Sequence, residues 1–343
     1  MKIAFSGDIS FNNRYSSIDK KRFSQFKLPF ETDYFIGNLE CLASGENGEI
    51  NPFKIPSLST SSKALEQLKT FGFTHVALAN NHIYDNLESG LKKTTSILDQ
   101  LNIQYFGAAV KTPAQSSLIL ESSEGFKVGI LNYVDKPTNP CPPPDTTIQV
   151  SYFDIGKVKA DITQLKTSCK YVIIYLHWGG KSENMMFPDS DQLRKARQLS
   201  ETDADVIIGH HSHVIHPIVN QQGKKIYYSL GNFCFDDINF NNQTFSLKEE
   251  NKRGLIVLLD FGNQGIIHRV VGTRIRHDGE ITFIESYHNR SALFHMLSLF
   301  PPLLNLQFHF NHKLIRPIKF LFRGNPIKQM KKIDGKKIKS LFK

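Results

Sequence analysis

The stretch DVIIGHHSHVIHP, residues 205–217, decides how this chain is read. Val206, Ile207 and Ile208 form a short apolar, β-branched run closed by Gly209, the pattern of a buried strand. Four histidines follow within seven residues: His210, His211, His213 and His216. That density of imidazoles favours a metal site over chance. On an extended chain His211 and His213 share a side, His210 points away from His211, and His216 has no assigned role.

The same grammar recurs along the chain. KIAFSG at 2–7 runs into Asp8, YFIGN at 34–38 and Leu39 into Glu40, HVALA at 75–79 into Asn80-Asn81-His82, and YVIIYL at 171–176 into His177. In layered α/β folds ligands bind outside the carboxyl ends of the strands, so these clusters are expected to converge on one pocket. Helical patterns fill the gaps at 61–72, 87–101, 154–168 and 189–202, and extended segments fall at 117–121 and 126–133. Beyond residue 223 the pattern becomes strands without helices: KKIYYSL, RGLIVLLDF, GIIHRVVGTRI and EITFIE, ending near residue 285. Alternating units followed by strands predict an α/β layered domain over 1–285, with mixed sheets and antiparallel later strands. Residues 286–343 read as a separate extension in which Pro301-Pro302 prevents one continuous helix.

The net charge of +10 belongs to that extension. From Lys313 to Lys343 there are eleven Lys or Arg and one acid, Asp334, so the preceding body is neutral. Phe300, Phe308, Phe310, Phe320, Phe322 and Phe342 accompany the basic residues, a composition suited to an anionic membrane surface as well as to a solvated end. No nucleic-acid-reading motif accompanies it, so no specific nucleic acid is expected. The chain starts on a strand without a secretory pattern, and no run reaches the roughly 18 apolar residues of a membrane span. The four cysteines lack a CxxC pair and read as reduced, structural thiols. A cytoplasmic protein, peripheral on the inner face of the membrane through residues 313–343, is the expectation.

Taken singly, each cluster has a plain explanation: Asp8 as a cap, Glu40 as a loop acid, Asn80 and Asn81 as turn formers, His82 as a hydrogen-bonded histidine. Taken together, carboxylates, an amide oxygen and imidazoles suit borderline divalent metals such as Mn, Fe or Zn. A pair of such ions activates water and holds an oxygen on which charge develops. Glu40 is placed to bridge them, and His82, beside the metals but not ligated, to act as general acid.

The segments SGD (6–8), GNLE (37–40), ALANNHIYD (77–85), FGAA (106–109), LHWGG (176–180), DVIIGHHSHVIHP (205–217) and YSLGNFCFD (228–236) together resemble the CapA family of capsule and poly-γ-glutamate synthesis proteins. The resemblance covers about residues 1–285. It implies the calcineurin-like metallophosphatase fold, a four-layer α/β/β/α sandwich. It also implies Asp8 and His213 on one metal, Asn81, His177 and His211 on the other, and Glu40 on both. Asp8 and His82 are the catalytic candidates, and Asn38, Glu183 and Asn232 the substrate-binding ones. Ser10 stands where the wider superfamily carries a histidine, so the first metal is expected to be the more weakly held. The activity implied is metal-dependent hydrolysis of a phosphoester, or of an amide or ester in an anionic polymer or its precursor. The competing class is a non-catalytic assembly factor at the membrane surface that keeps a polymer-binding cleft. Protein purified without metal and inert under several divalent ions would favour it.

Overall fold

The computed structural model describes residues 1–17, 23, 25–285, 287 and 291–299. The elements that position the site are, in chain order, β1 (Lys2–Ile9), β2 (Tyr34–Leu39), α1 (Ser62–Leu65), α2 (Gln67–Phe71), β3 (His75–Ala77), α3 (Leu87–Gln100), β4 (Gln104–Phe106), β5 (Ser117–Glu121) and β6 (Lys127–Val134). They continue with α4 (Ile155–Lys166), β7 (Tyr171–His177), α5 (Ser190–Ser200), β8 (Val206–His210), β9 (Ile218–Gln221), β10 (Lys224–Tyr227) and β11 (Asn232–Cys234). The last are β12 (Arg253–Gly262), β13 (Gly265–Ile275), β14 (Ile281–Ile284) and α6 (Ser291–Ser298).

Two mixed sheets result. The first runs β14-β13-β12-β1-β2-β3-β4, with β11 also pairing with β1. Its β1–β4 half is parallel and its β12–β14 half antiparallel. The second runs β9-β10-β8-β7-β6-β5, parallel at its centre with an antiparallel strand at each edge. Because successive residues of a strand face opposite ways, a strand buried on both faces feeds two cores. Ile3 and Phe5 of β1 meet Ile173 and Tyr175 of β7 between the sheets. Ala4 and Ile9 face Leu65, Leu68 and Leu91 of α1–α3. Val172, Ile174 and Leu176 face Val158, Ile162, Leu193 and Ala196 of α4 and α5. The architecture is therefore the four-layer α/β/β/α sandwich.

Local chemistry fixes the helix ends. Ser61 Oγ accepts from the Ala64 amide (3.2 Å), Asp154 Oδ1 from the Lys157 amide (2.9 Å), and Asp189 and Gln192 form a reciprocal capping box (2.9 and 3.0 Å). Gly72 (φ +85°) stops α2 in the left-handed conformation that glycine adopts without penalty.

Some expectations are corrected. The helix expected over 61–72 is two short helices meeting at Glu66, and the strand expected over 75–79 stops at Ala77. Strands β4, β9 and β11 are additional. The extension begins docked against the body: Phe294 of α6 is 3% exposed and packs on Phe187 and Tyr228, and Ser291 Oγ donates to the Ile218 carbonyl (2.6 Å). Residues 313–343 lie outside the described residues. Among the described residues no helix is long and apolar enough to cross a membrane. All four cysteines are free.

Candidate metal centre

The strand ends converge at one end of the seam between the sheets, and a bulge in β1 makes this work. Phe5 pairs with Ile36 but Asp8 with Asn38, so β1 spends three residues where β2 spends two. One inserted residue reverses the facing of everything after it. Strict alternation would turn Asp8 with Ala4 toward the helices. The bulge turns it with Phe5 toward the second sheet. Gly7 permits it, since a Cβ there would lie 2.2 Å from the Gly231 carbonyl oxygen that receives the Asp8 amide (2.9 Å). On β2 and β8 the unbroken alternation from Ile36 and Ile208 carries Asn38 and His210 to the same face.

Two overlapping triads form there: Glu40, His177 and His211, and Asp8, Glu40 and His213, each with donor atoms within 4.8 Å of one another and all residues buried. Asn81 joins the first, its Oδ1 2.8 Å from His177 Nε2, which also faces His211 Nδ1 at 3.1 Å. Adjacent ligands of an ion with bonds of about 2.1 Å lie about 3.0–3.4 Å apart, so these donors sit at ligand spacing. Glu40 Oε1 is 3.6 Å from His177 Nε2 and 3.7 Å from His213 Nε2, and Glu40 reaches both groups. Its two oxygens are buried without a hydrogen-bond donor. A fully buried carboxylate in that state calls for cations.

The two carboxylates are held in opposite ways. Burial pushes Glu40 well above the usual carboxylate range, reinforced by the charge of Asp8. Burial acts on Asp8 too, but the hydrogen bond and charge of His210, with His213 and Asn38, outweigh it and hold Asp8 below its ordinary value. Asp8 Oδ1 accepts from His210 Nδ1 (2.8 Å) and Asn38 Nδ2 (2.9 Å), and Oδ2 from the His211 amide (3.2 Å). Burial lowers His177 well below the usual histidine value and His211 to about 3, so both present neutral nitrogens, the form that binds metal.

The histidine segment leaves extended geometry at the centre. His211 (φ +93°) and His213 (φ +56°) are both left-handed, an uncommon state for residues with a Cβ. The alternation expected past His210 therefore ends with β8. His210 turns its ring onto Asp8 and lies tilted against Tyr175 with ring centroids 4.4 Å apart, while His211 presents its amide to Asp8 and its ring to His177. His216 meets the Met185 carbonyl (3.1 Å).

Asn38 and Asn232, expected on the substrate side, are 1% and 0% exposed beneath the ligands. Asn38 Nδ2 touches Asp8 and His177 Nδ1 (3.2 Å); Asn232 Oδ1 accepts from His213 Nδ1 (2.9 Å), which leaves Nε2 facing Glu40. These are the contacts of residues that position ligands. Glu183 is exposed beside the centre, where its charge raises both Glu40 and His211. Ser10 is buried and brings no second imidazole to the group of Asp8, Glu40 and His213. His82 Nε2 lies 3.9 Å from Glu40 Oε1, and its Nδ1 is 2.6 Å from Asp85 Oδ2. Burial lowers His82, and Asp85 opposes the shift. Two features were not legible in the sequence, the contact of Asp85 with His82 and the turn of His210 onto Asp8, although Asp85 was signalled by its spacing three residues after His82.

The chain is thus a two-sheet α/β/β/α sandwich with a clustered carboxylate–imidazole site at its parallel strand ends. The model of the family described as bacterial capsule synthesis protein PGA_cap matches residues 2–237, and the chain belongs to that family. It is 29% identical over 252 residues to the PGA biosynthesis protein CapA of Bacillus subtilis (strain 168), covering 69% of this chain and 63% of the relative. With the capsule biosynthesis protein CapA of Bacillus anthracis it shares 30% identity over 219 residues, 60% of this chain and 51% of the relative. The chain thus spans between half and two thirds of the length of these two relatives. Among solved structures, the 5'-nucleotidase precursor of Thermus thermophilus aligns with a TM-score of 0.48 at 12% identity, covering 88% of this chain and 59% of that one. The Haemophilus influenzae NAD nucleotidase (NadN) gives 0.46 at 13%, covering 87% and 62%.

Proposed function

We propose that the chain is a metal-dependent hydrolase of capsule or poly-γ-glutamate assembly, acting on a phosphoester, or on an amide or ester, of an anionic polymer or its precursor. The observation that carries the reading is Glu40: a fully buried carboxylate, without a donor on either oxygen, shared by two sets of ligand-spaced donors. Asp8, Glu40 and His213 would hold one divalent ion and Asn81, His177, His211 and Glu40 the other. The ions, Mn, Fe or Zn by donor type, would supply Lewis acidity and an activated water.

The protein's own side chains do the rest. Asp8 is kept ionised by His210 and Asn38 and carries the first sheet's charge into the centre. Asp85 holds His82 Nδ1, opposes the lowering that burial gives the ring, and directs Nε2 to the centre, where the ring would donate to the departing oxygen or nitrogen once it has taken up a proton. Metal content, phosphodiesterase activity and peptidase activity should be measured in the wild type and in His211→Ala. The expected result is loss of activity and of metal in the variant; unaltered metal and turnover would sink the reading.

We also propose that residues 313–343 bring the enzyme to an anionic membrane, where polymer is assembled. Support comes from the sequence, whose eleven basic residues there are interleaved with phenylalanines.

A further inference from the structure

The loop between the strand pair Leu42–Ala43 and Ser59–Thr60 is folded inside out. Phe53 and Ile55 are 60% and 68% exposed, whereas Lys54 between them is 5% exposed. Burial by the hydrophobic effect gives the reverse, and lysine is almost never buried this far unless its charge is matched. Lys54 Nζ makes one hydrogen bond, to the Asn139 carbonyl (2.7 Å), and no ion pair among the described residues. Among the described residues, two of its three N–H donors have no acceptor.

The inversion is built in. The Asn51 amide donates to the Asp85 carbonyl (2.8 Å), Asn51 Nδ2 to the Cys141 carbonyl (2.8 Å), the Lys54 amide to Asn51 (3.3 Å) and Ser57 Oγ to the Lys54 carbonyl (3.0 Å). The Leu58 amide donates to Asp85 Oδ2 (2.5 Å), the oxygen that also holds His82. One carboxylate thus fixes both the proton donor and the loop that carries the cation. The Asn51 and Leu58 amides on either side of Lys54 both bond Asp85, which holds His82, and His82 Nε2 lies 3.9 Å from Glu40 Oε1, so the loop seats Lys54 beside the centre.

We propose that Lys54 is a substrate-binding residue, whose ammonium takes an anionic oxygen, of a phosphoryl group or of a carboxylate, next to the bond that is broken. The proposal rests on the metal-centre reading and deepens it: the substrate brings its own negative charge to a site already rich in cations. A neutral ester or amide would leave the ammonium uncompensated.

The test uses the full chain loaded with Mn, as wild type, Lys54→Gln and Lys54→Arg, with metal content and thermal melting recorded for each. Affinities for inorganic phosphate and for γ-glutamyl-glutamate are measured by calorimetry. Lys54→Gln should weaken at least one probe by about tenfold or more at unchanged Mn content, with Lys54→Arg recovering most of the loss. The probe that weakens identifies phosphoryl or carboxylate as the group bound. Equal affinities for both probes in Lys54→Gln, loss of Mn in that variant, or a Mn-loaded wild type that binds neither probe would overturn the proposal. A wild type that holds no Mn would overturn the metal-centre reading together with it, and the metal measurement separates the two failures.

Discussion

Replacing Glu40 with glutamine should change stability in opposite directions with and without metal. In metal-free protein the Glu40 carboxyl is fully buried, its oxygens lack donors, and Asp8 adds a like charge. Keeping that carboxyl buried costs about 1–3 kcal/mol or more, whether it stays ionised without a donor or takes up a proton above its unfolded pKa, and the neutral amide removes most of that cost. For a domain of this size about 1 kcal/mol moves the melting temperature by about 2 °C, so Glu40→Gln in EDTA should melt about 2–6 °C above the wild type. With metal the order reverses. An ion at 1,000 times its Kd stabilises the folded state by about 4 kcal/mol, or about 8 °C. The variant lacks the one carboxylate reaching both triads and should show little of this gain. Scanning calorimetry of both proteins in EDTA and in excess Mn reads the four values directly. Lower melting of Glu40→Gln in EDTA, or equal Mn-dependent shifts in both proteins, would refute the argument that Glu40 is an uncompensated carboxylate awaiting cations.

Other consequences follow from the same geometry. Asp85→Asn should keep its metal while turnover falls about 10²–10⁴-fold, because His82 loses the group that orients it; unchanged turnover would remove His82 from the chemistry. Gly7→Ala forces a Cβ to within 2.2 Å of the Gly231 oxygen, so the bulge must shift, at a cost of about 1–3 kcal/mol together with loss of the Asp8-side metal in metal analysis. Metal-free protein should be acid-labile: burial holds His75 and His268 near 4 and His211 near 3, against about 6.5 for the unfolded chain. The unfolded state then binds more protons, so this stability is complete above about pH 6.5 and is lost as pH falls toward 4 and then 3. Urea melts of Glu40→Gln across that range, which remove the opposing titration of the raised Glu40 carboxyl, should show the decline, and a flat profile would contradict it. Truncation after residue 312 should release the protein from anionic liposomes in a salt-dependent manner without changing metal content; equal binding by both forms would refute the membrane role.

The amino-acid sequence by itself determined the alternation of strands and helices, because buried strands and amphipathic helices have different periods and both are written in the order of residues. It also determined which side chains end the strands, so Asp8, Glu40, His177, His211 and His213 were legible as one candidate cluster, and the fold brings them together. Facing was a matter for the tertiary structure. Asp8 enters the centre because β1 bulges against β2, and His211 and His213 converge because both leave extended geometry, neither of which side-chain periodicity encodes. The same holds for Lys54 and for His210, whose chemistry depends on what is packed over them. A lone lysine in a loop is ordinary until the fold buries it beside a carboxylate–imidazole cluster, with its phenylalanine and isoleucine neighbours left in water.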